Sequence, residues 1–194
     1  TVLEENGISK NEINYIRNSV KVIIDAYSGD VTFYRTDKTD PIAMVYEKIY
    51  PDLFSKEEIP EQISDHFVYP EYLYNIQAKV LKRYHNIQPD VLYRGDDVWD
   101  IATHNASSKV SSTKGTEISP YYTMVKTTDS TTSRLGLVIP FTPYEKQNIT
   151  AYLVGSTDES GNNVLKLYNY PTDSNVLGPM QLDTQLGQDE TIAK

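Results

Sequence analysis

The side chains with the widest chemical reach crowd between Tyr69 and Asp100, where Tyr69, Tyr72, Tyr84, His85, Tyr93 and Trp99 stand near Asp96, Asp97 and Asp100. Rings with polar tips combine apolar area with a hydrogen bond, as protein-binding and sugar-binding surfaces do. The same rings would equally pack a long helix against a sheet. Tyr69, Tyr72, Tyr84, His85, Tyr93, Asp96, Asp97 and Trp99 therefore form the candidate binding set, with core packing as the competing role. A carboxylate pair near Trp99 and Tyr93 acting as acid and base would suit glycan hydrolysis. Such a pair is recognised by its separation in space, which spacing along a chain does not supply.

Other chemistries find less support. The imidazoles His66, His85 and His104 do not fall at the short spacings that put two ligands on one metal. The run Gly95-Asp96-Asp97-Val98-Trp99-Asp100 lacks the alternating ligands and closing Glu of a calcium loop, so turn and helix capping suits these acids better. Neither a nucleophile elbow nor a phosphate-cradling glycine loop occurs. No catalytic residue, metal ligand or cofactor is assigned. With 0 Cys, disulfide frameworks, thiolate metal sites and thiol nucleophiles are absent, leaving oxygen and imidazole groups for any reaction.

The net charge of -9 would repel a phosphate backbone over most of the surface, which argues against nucleic acid as a partner. The longest apolar stretches, Val22 to Ile24 and Leu135 to Phe141, fall far short of the roughly 20 residues that cross a bilayer. The opening Thr1-Val2-Leu3-Glu4-Glu5 has neither the basic start nor the apolar core of a signal peptide, and it reads as the edge of an excised piece.

The elements that must position these groups follow from periodicity. Ser19 to Tyr27 and Val31 to Thr36 are β-prone runs joined by a turn containing Gly29, which predicts a hairpin. Asp40-Pro41 starts a helix in which Ile42, Val45, Tyr46 and Ile49 fall at helical spacing, and Pro51 ends it. Ser55-Lys56-Glu57-Glu58 fits a capping box, and Pro60 opens a short helical turn ending near His66. The best helix runs from Tyr69-Pro70-Glu71 to about His85, with Leu73, Ile76, Gln77, Val80, Leu81 and Tyr84 as its inward stripe. Tyr121 to Thr127, Leu135 to Thr142, Thr150 to Val154 and Val164 to Tyr170 predict four strands of an antiparallel meander. The fold class is α+β: an N-terminal β-hairpin, a helical middle and a C-terminal antiparallel sheet. Residues 1–13 are a lead-in, 14–104 the hairpin and helices, 105–118 a Ser- and Thr-rich mobile loop, 119–180 the sheet and 181–194 a truncated tail, with 14–180 as one domain.

Several strings carry a resemblance when taken together. Asn14-Tyr15-Ile16-Arg17-Asn18-Ser19-Val20-Lys21 leads into Asp25-Ala26-Tyr27 and Gly29. Tyr69-Pro70-Glu71, Arg83-Tyr84-His85, Asp97, Trp99, Pro120-Tyr121-Tyr122, Pro140-Phe141-Thr142-Pro143 and Gly178-Pro179-Met180 follow in order. From about Asn14 to Asp189 the chain resembles the soluble region of Uncharacterised Protein Family 0182, large bacterial multi-pass membrane proteins with no established activity. It departs from the family's usual pattern at Asn86-Ile87-Gln88. The resemblance implies a domain tethered at the cell membrane on its extracytoplasmic face. Its expected partners are the rest of its own membrane-embedded polypeptide or another envelope protein. The hairpin turn also resembles the small extracellular modules called PepSY. The expected function is an extracytoplasmic interaction or sensing domain, with a cell-envelope hydrolase acting on glycans as the alternative.

Overall fold

The computed structural model describes residues 15–104, 115–128, 131–158, 161–171, 173–189 and 191. The N-terminal hairpin forms as expected: β1 (Val20–Ile24) pairs antiparallel with β2 (Val31–Arg35), Val22 opposite Phe33 and Ile24 opposite Val31. Its turn is tied by the Asp25 carboxylate, which accepts from the Tyr27 and Ser28 amides at 2.8 Å each, and Gly29 takes the positive φ of 76° that closes it.

The next helix, α1 (Pro41–Ile49), starts where the sequence places it. The Asp40 carboxylate accepts from the Ile42 amide at 2.9 Å, Pro41 fills the first helical position, and Lys48 sits in the last turn. Asp40 also joins the helix to the hairpin, since its other oxygen accepts from the Ser19 hydroxyl and the Tyr15 hydroxyl lies 3.1 Å from the capping oxygen. The Ser19 hydroxyl, then the Ile42 amide and Tyr15, hold the Asp40 carboxyl below its ordinary value of 3.8, against the opposing effect of burial. A carboxyl depressed in the folded state contributes stability that is complete above its unfolded value and is lost as pH falls through the folded one. Hydrogen-exchange protection of the β1–β2 amides is therefore expected to decline below pH 3.8. Asp40→Asn keeps a competent cap and should flatten that decline. An unchanged pH profile in Asp40→Asn would refute this role.

Three helices follow: α2 (Glu61–Ser64), α3 (Glu71–Tyr84) and α4 (Pro89–Arg94). Ser55 accepts from the Glu57 amide at 3.1 Å, so the expected capping box is instead a local turn outside any helix. Beyond α4 comes β3 (Trp99–Ile101), then β4 (Thr103–His104), paired with β5 (Thr116–Glu117). Of the 105–118 stretch read as a loop, residues 105–114 lie outside the described residues. The meander is β6 (Tyr121–Val125), β7 (Arg134–Pro143), β8 (Ala151–Thr157) and β9 (Asn163–Asn169), each paired with the next. A fifth strand enlarges the sheet: β7 outruns β6, and β3 pairs with its last residues, Trp99 opposite Pro143 and Ile101 opposite Phe141.

Alternation then sends Leu137, Ile139 and Phe141 of β7, Ala151 and Leu153 of β8, and Ile101 of β3 toward α3, where they form the core with Tyr69, Tyr74, Ala78 and Trp99. The face of α3 that docks is centred on Tyr74 and Ala78, both fully buried, whereas Val80 and Tyr84 of the expected stripe are exposed. Close approach explains the rotation. A Cβ added to Gly155 of β8 would lie 2.7 Å from the Tyr74 ring and 3.0 Å from that of Tyr69, so both rings rest on bare backbone. The Tyr74 hydroxyl donates to the Leu153 carbonyl at 2.8 Å, satisfying the one polar atom on the buried ring. The chain closes with α5 (Pro179–Gln188), whose entry is fixed by the Gln181 side chain accepting the Gly178 amide at 2.9 Å. Met180 lies against Gly115, where an added Cβ would meet its terminal methyl.

Candidate functional site

The C-terminal end of α3 brings three of the candidate binding residues together. His85 caps the helix, and its Nδ1 donates to the Leu81 carbonyl at 2.9 Å, so one ring nitrogen answers a terminal carbonyl. Its Nε2 lies 3.2 Å from an Asp97 carboxylate oxygen, to which Asn86 also donates at 3.3 Å. Both ring nitrogens thus face oxygen acceptors. The ring stacks on Trp99 with centroids 3.5 Å apart and planes 14° off parallel, and Trp99 leans on Phe141 in the core. Asp97 adopts a φ of 54°, uncommon outside glycine, and is held there between His85 and the start of β3. These contacts hold the imidazole inward: its side chain is 5% exposed.

The rest of the set divides by burial. Tyr69 belongs to the core, its hydroxyl donating to Gln77 at 2.6 Å and its ring meeting Tyr74 edge-on. Tyr72 is half-buried and its hydroxyl has no hydrogen-bond partner among the described residues. Tyr84 and Tyr93 are exposed by 63% and 93%. Asp96 pairs with Arg94 at 3.0 Å on the surface. Asp97, Val98, Pro143, Tyr144 and Lys146 line an open depression of about 400 Å³. Next to it, Asp100, Glu117 and Glu145 border a second of similar volume, and Lys82 reaches two of these acids, Asp100 at 2.9 Å and Glu117 at 3.8 Å. Among the described residues no group of three His, Cys, Asp or Glu stands close enough to hold a metal ion.

A second region was not singled out from the sequence. The apolar stripe of α1 turns to solvent: Ile42, Val45, Tyr46 and Ile49 are 47–59% exposed, with only Ala43 of the helix buried. Tyr46 and Tyr50 stack at 6.5 Å on the same surface. On the hairpin, Val22, Ile24 and Val31 are also largely exposed, and alternation puts them on the face that carries Phe33 and Arg35. The Arg35 guanidinium holds Glu47 of α1 at 3.0 Å, so the helix is tied to that face of the hairpin through the side that carries Ala43 and Glu47, away from its apolar stripe. Lys21, on the opposite face, lies 5.1 Å from the centre of the Phe67 ring, which turns that face toward the body. Exposed apolar residues grouped on one helix face, as on α1, mark a contact site in soluble proteins. Its signal in the sequence was the i, i+3, i+4 spacing itself, which announces a helix to be covered without naming the cover.

Comparison with known proteins places the chain. The model of an uncharacterised protein family, UPF0182, matches residues 3–194. The chain belongs to the UPF0182 family. Curated UPF0182 proteins from Caldicellulosiruptor saccharolyticus and Microcystis aeruginosa are similar to it, at 44% identity over 181 residues and 39% over 186. Those alignments cover 93% and 95% of this chain but 20% and 19% of the relatives, so the chain spans about a fifth of the length of the UPF0182 proteins it matches. No solved structure matches it. Within this fifth, no helix among the described residues is long and apolar enough to cross a membrane.

Proposed function

We propose that this chain is an extracytoplasmic interaction or sensing domain of a multi-pass bacterial membrane protein, which docks through α1 and the hairpin onto the rest of its own polypeptide or another envelope protein. The observation that carries the reading is the apolar face of Ile42, Val45, Tyr46 and Ile49, four residues about half exposed and grouped on one side of a single helix. Membrane tethering is what the family resemblance implies. Relatives five times as long supply the remainder against which such a face would lie.

The rival reading, an envelope glycan hydrolase, would draw on Asp96, Asp97 and Asp100. Arg94 and Lys82 already neutralise the first and last of these. Among the described residues, hydrogen bonds lower the proton affinity of the Asp25, Asp37 and Asp40 carboxyls, the opposite of what a general acid needs. The test uses the complete polypeptide in its native cells. A reporter fused next to this segment should be active only outside the cytoplasm, and the segment, expressed separately, should co-purify with the remainder or with an envelope protein. A reporter active in the cytoplasm, or cell-wall glycan hydrolysis abolished by Asp97→Asn, would sink the proposal.

A further inference from the structure

Among the described residues the outer edge of β1 is open, and the hydrogen-bond register of the hairpin says which residues face it. The Thr36 amide donates to the Ser19 carbonyl and the Asp25 amide to the Asp30 carbonyl, both at 2.9 Å. Antiparallel pairs alternate, so Ser19, Lys21, Ile23 and Asp25 turn their backbone groups toward β2, while Val20, Val22 and Ile24 turn theirs outward. Among the described residues nothing pairs with that outward row. The far edge of β2 differs: the Phe33 carbonyl accepts from the Ser55 amide at 2.8 Å, and Phe33 bridges Phe54 in parallel.

Edge strands left open in water are ordinarily blunted by proline, a bulge, short length or a charged side chain, including one that points inward. β1 has neither proline nor bulge, its register being regular, and carries one such charge, Lys21, on the face turned toward the body. A two-stranded sheet is also marginal by itself and gains independent stability from a third strand. Here the face that would receive the neighbour's side chains is the exposed one bearing Val22, Ile24 and Val31.

We propose that the outer edge of β1 receives an extended strand from the part of the polypeptide outside residues 1–194, making a sheet of at least three strands. This rests on the docking reading above and specifies its form: main-chain hydrogen bonds to Val20, Val22 and Ile24, with apolar side chains on alternate residues lying against Val22 and Ile24 beside α1. The occupant is the remainder of the same polypeptide because about four-fifths of the relatives' length lies outside the segment that this chain matches. An intramolecular strand also meets the edge at a high effective concentration that a separate partner lacks.

The test places a photo-crosslinking residue at Val22, Ile24 or Tyr46, one at a time, in the complete polypeptide, and maps the captured peptides by mass spectrometry. Val22 and Ile24 should capture residues of one peptide from outside 1–194, two positions apart. Val22→Pro, examined with the crosslinker at Ile24, removes an outward N–H without removing a β1–β2 hydrogen bond. It should reduce capture about tenfold or more, the loss of a well-placed interface contact. Capture of residues within 1–194, of a second copy or of lipid by Val22 and Ile24 would overturn the proposal. Tyr46 capturing the remainder while Val22 and Ile24 do not would reject strand addition and leave docking standing. Silence at all three positions would reject both. Because the crosslinking chain otherwise keeps its natural sequence, the outcome does not depend on Val22→Pro folding.

Discussion

Replacing Tyr74 with alanine is expected to destabilise the protein by about 3–5 kcal/mol, the usual range for emptying a large aromatic site in a core. Tyr74 is fully buried, its ring rests on the bare backbone of Gly155, and its hydroxyl is spent on the Leu153 carbonyl. The void would open between α3 and the centre of the sheet, where Ala78 and Gly155 are too small to fill it. Since single domains are stable by only about 5–15 kcal/mol, a third or more of the total would be lost. Urea unfolding followed by circular dichroism measures this directly. Tyr74→Phe should cost about 1 kcal/mol, as it keeps the ring and loses one hydrogen bond. Tyr93→Ala, at the exposed end of the same aromatic set, should fall within about 0.5 kcal/mol of the parent. Equal losses at Tyr74 and Tyr93 would contradict the division of the tyrosines into core and rim.

The opposite pattern is expected on α1. Val45→Lys with Ile49→Lys puts two good helix formers in place of β-branched residues and sets both cations toward the C-terminal half of the helix, where the dipole favours them. The isolated chain should therefore change in stability by no more than about 0.5 kcal/mol, because both side chains are more than half exposed. Association with the remainder of the polypeptide should weaken by about a hundredfold, two contact residues each contributing roughly tenfold. A calorimetric or pull-down comparison of the parent with the double variant reads the effect. Intact association, or a chain that unfolds, would show that the stripe packs within the chain or contacts nothing.

These contrasts mark where sequence stops being informative. The hairpin is legible because Val20 to Ile24 and Val31 to Arg35 flank a glycine turn. The start of α1 is legible because Asp40-Pro41 is a local capping signal that needs no tertiary partner. Strand β3 is not: Trp99-Asp100-Ile101 is too short to show a period, and it is a strand only because the end of β7 outruns β6. The docking face of α3 is hidden for a related reason. Hydropathy ranks Val80 above Ala78, whereas the sheet selects Ala78 and Tyr74 because Gly155 permits close approach.

The candidate site shows the same limit. Tyr69, Tyr84 and Tyr93 are one residue type within one stretch, and only the position of the sheet separates the buried ring from the exposed ones. His85, Asp97 and Trp99 do converge, through contacts between the helix end and the start of β3 that no local spacing encodes. For α1, amphipathic spacing demands a cover and leaves open whether the cover lies inside the chain.

Coverage of that helix is the point on which the reading stands, and labelling kinetics address it directly. The chain has 0 Cys, so Tyr46→Cys and Ile49→Cys each introduce a unique thiol, with any cysteines elsewhere in the complete polypeptide replaced. Both thiols should react rapidly with a maleimide in the isolated chain and about tenfold or more slowly in the complete polypeptide, as burial behind a closed contact requires. Equal rates in the two contexts would contradict it.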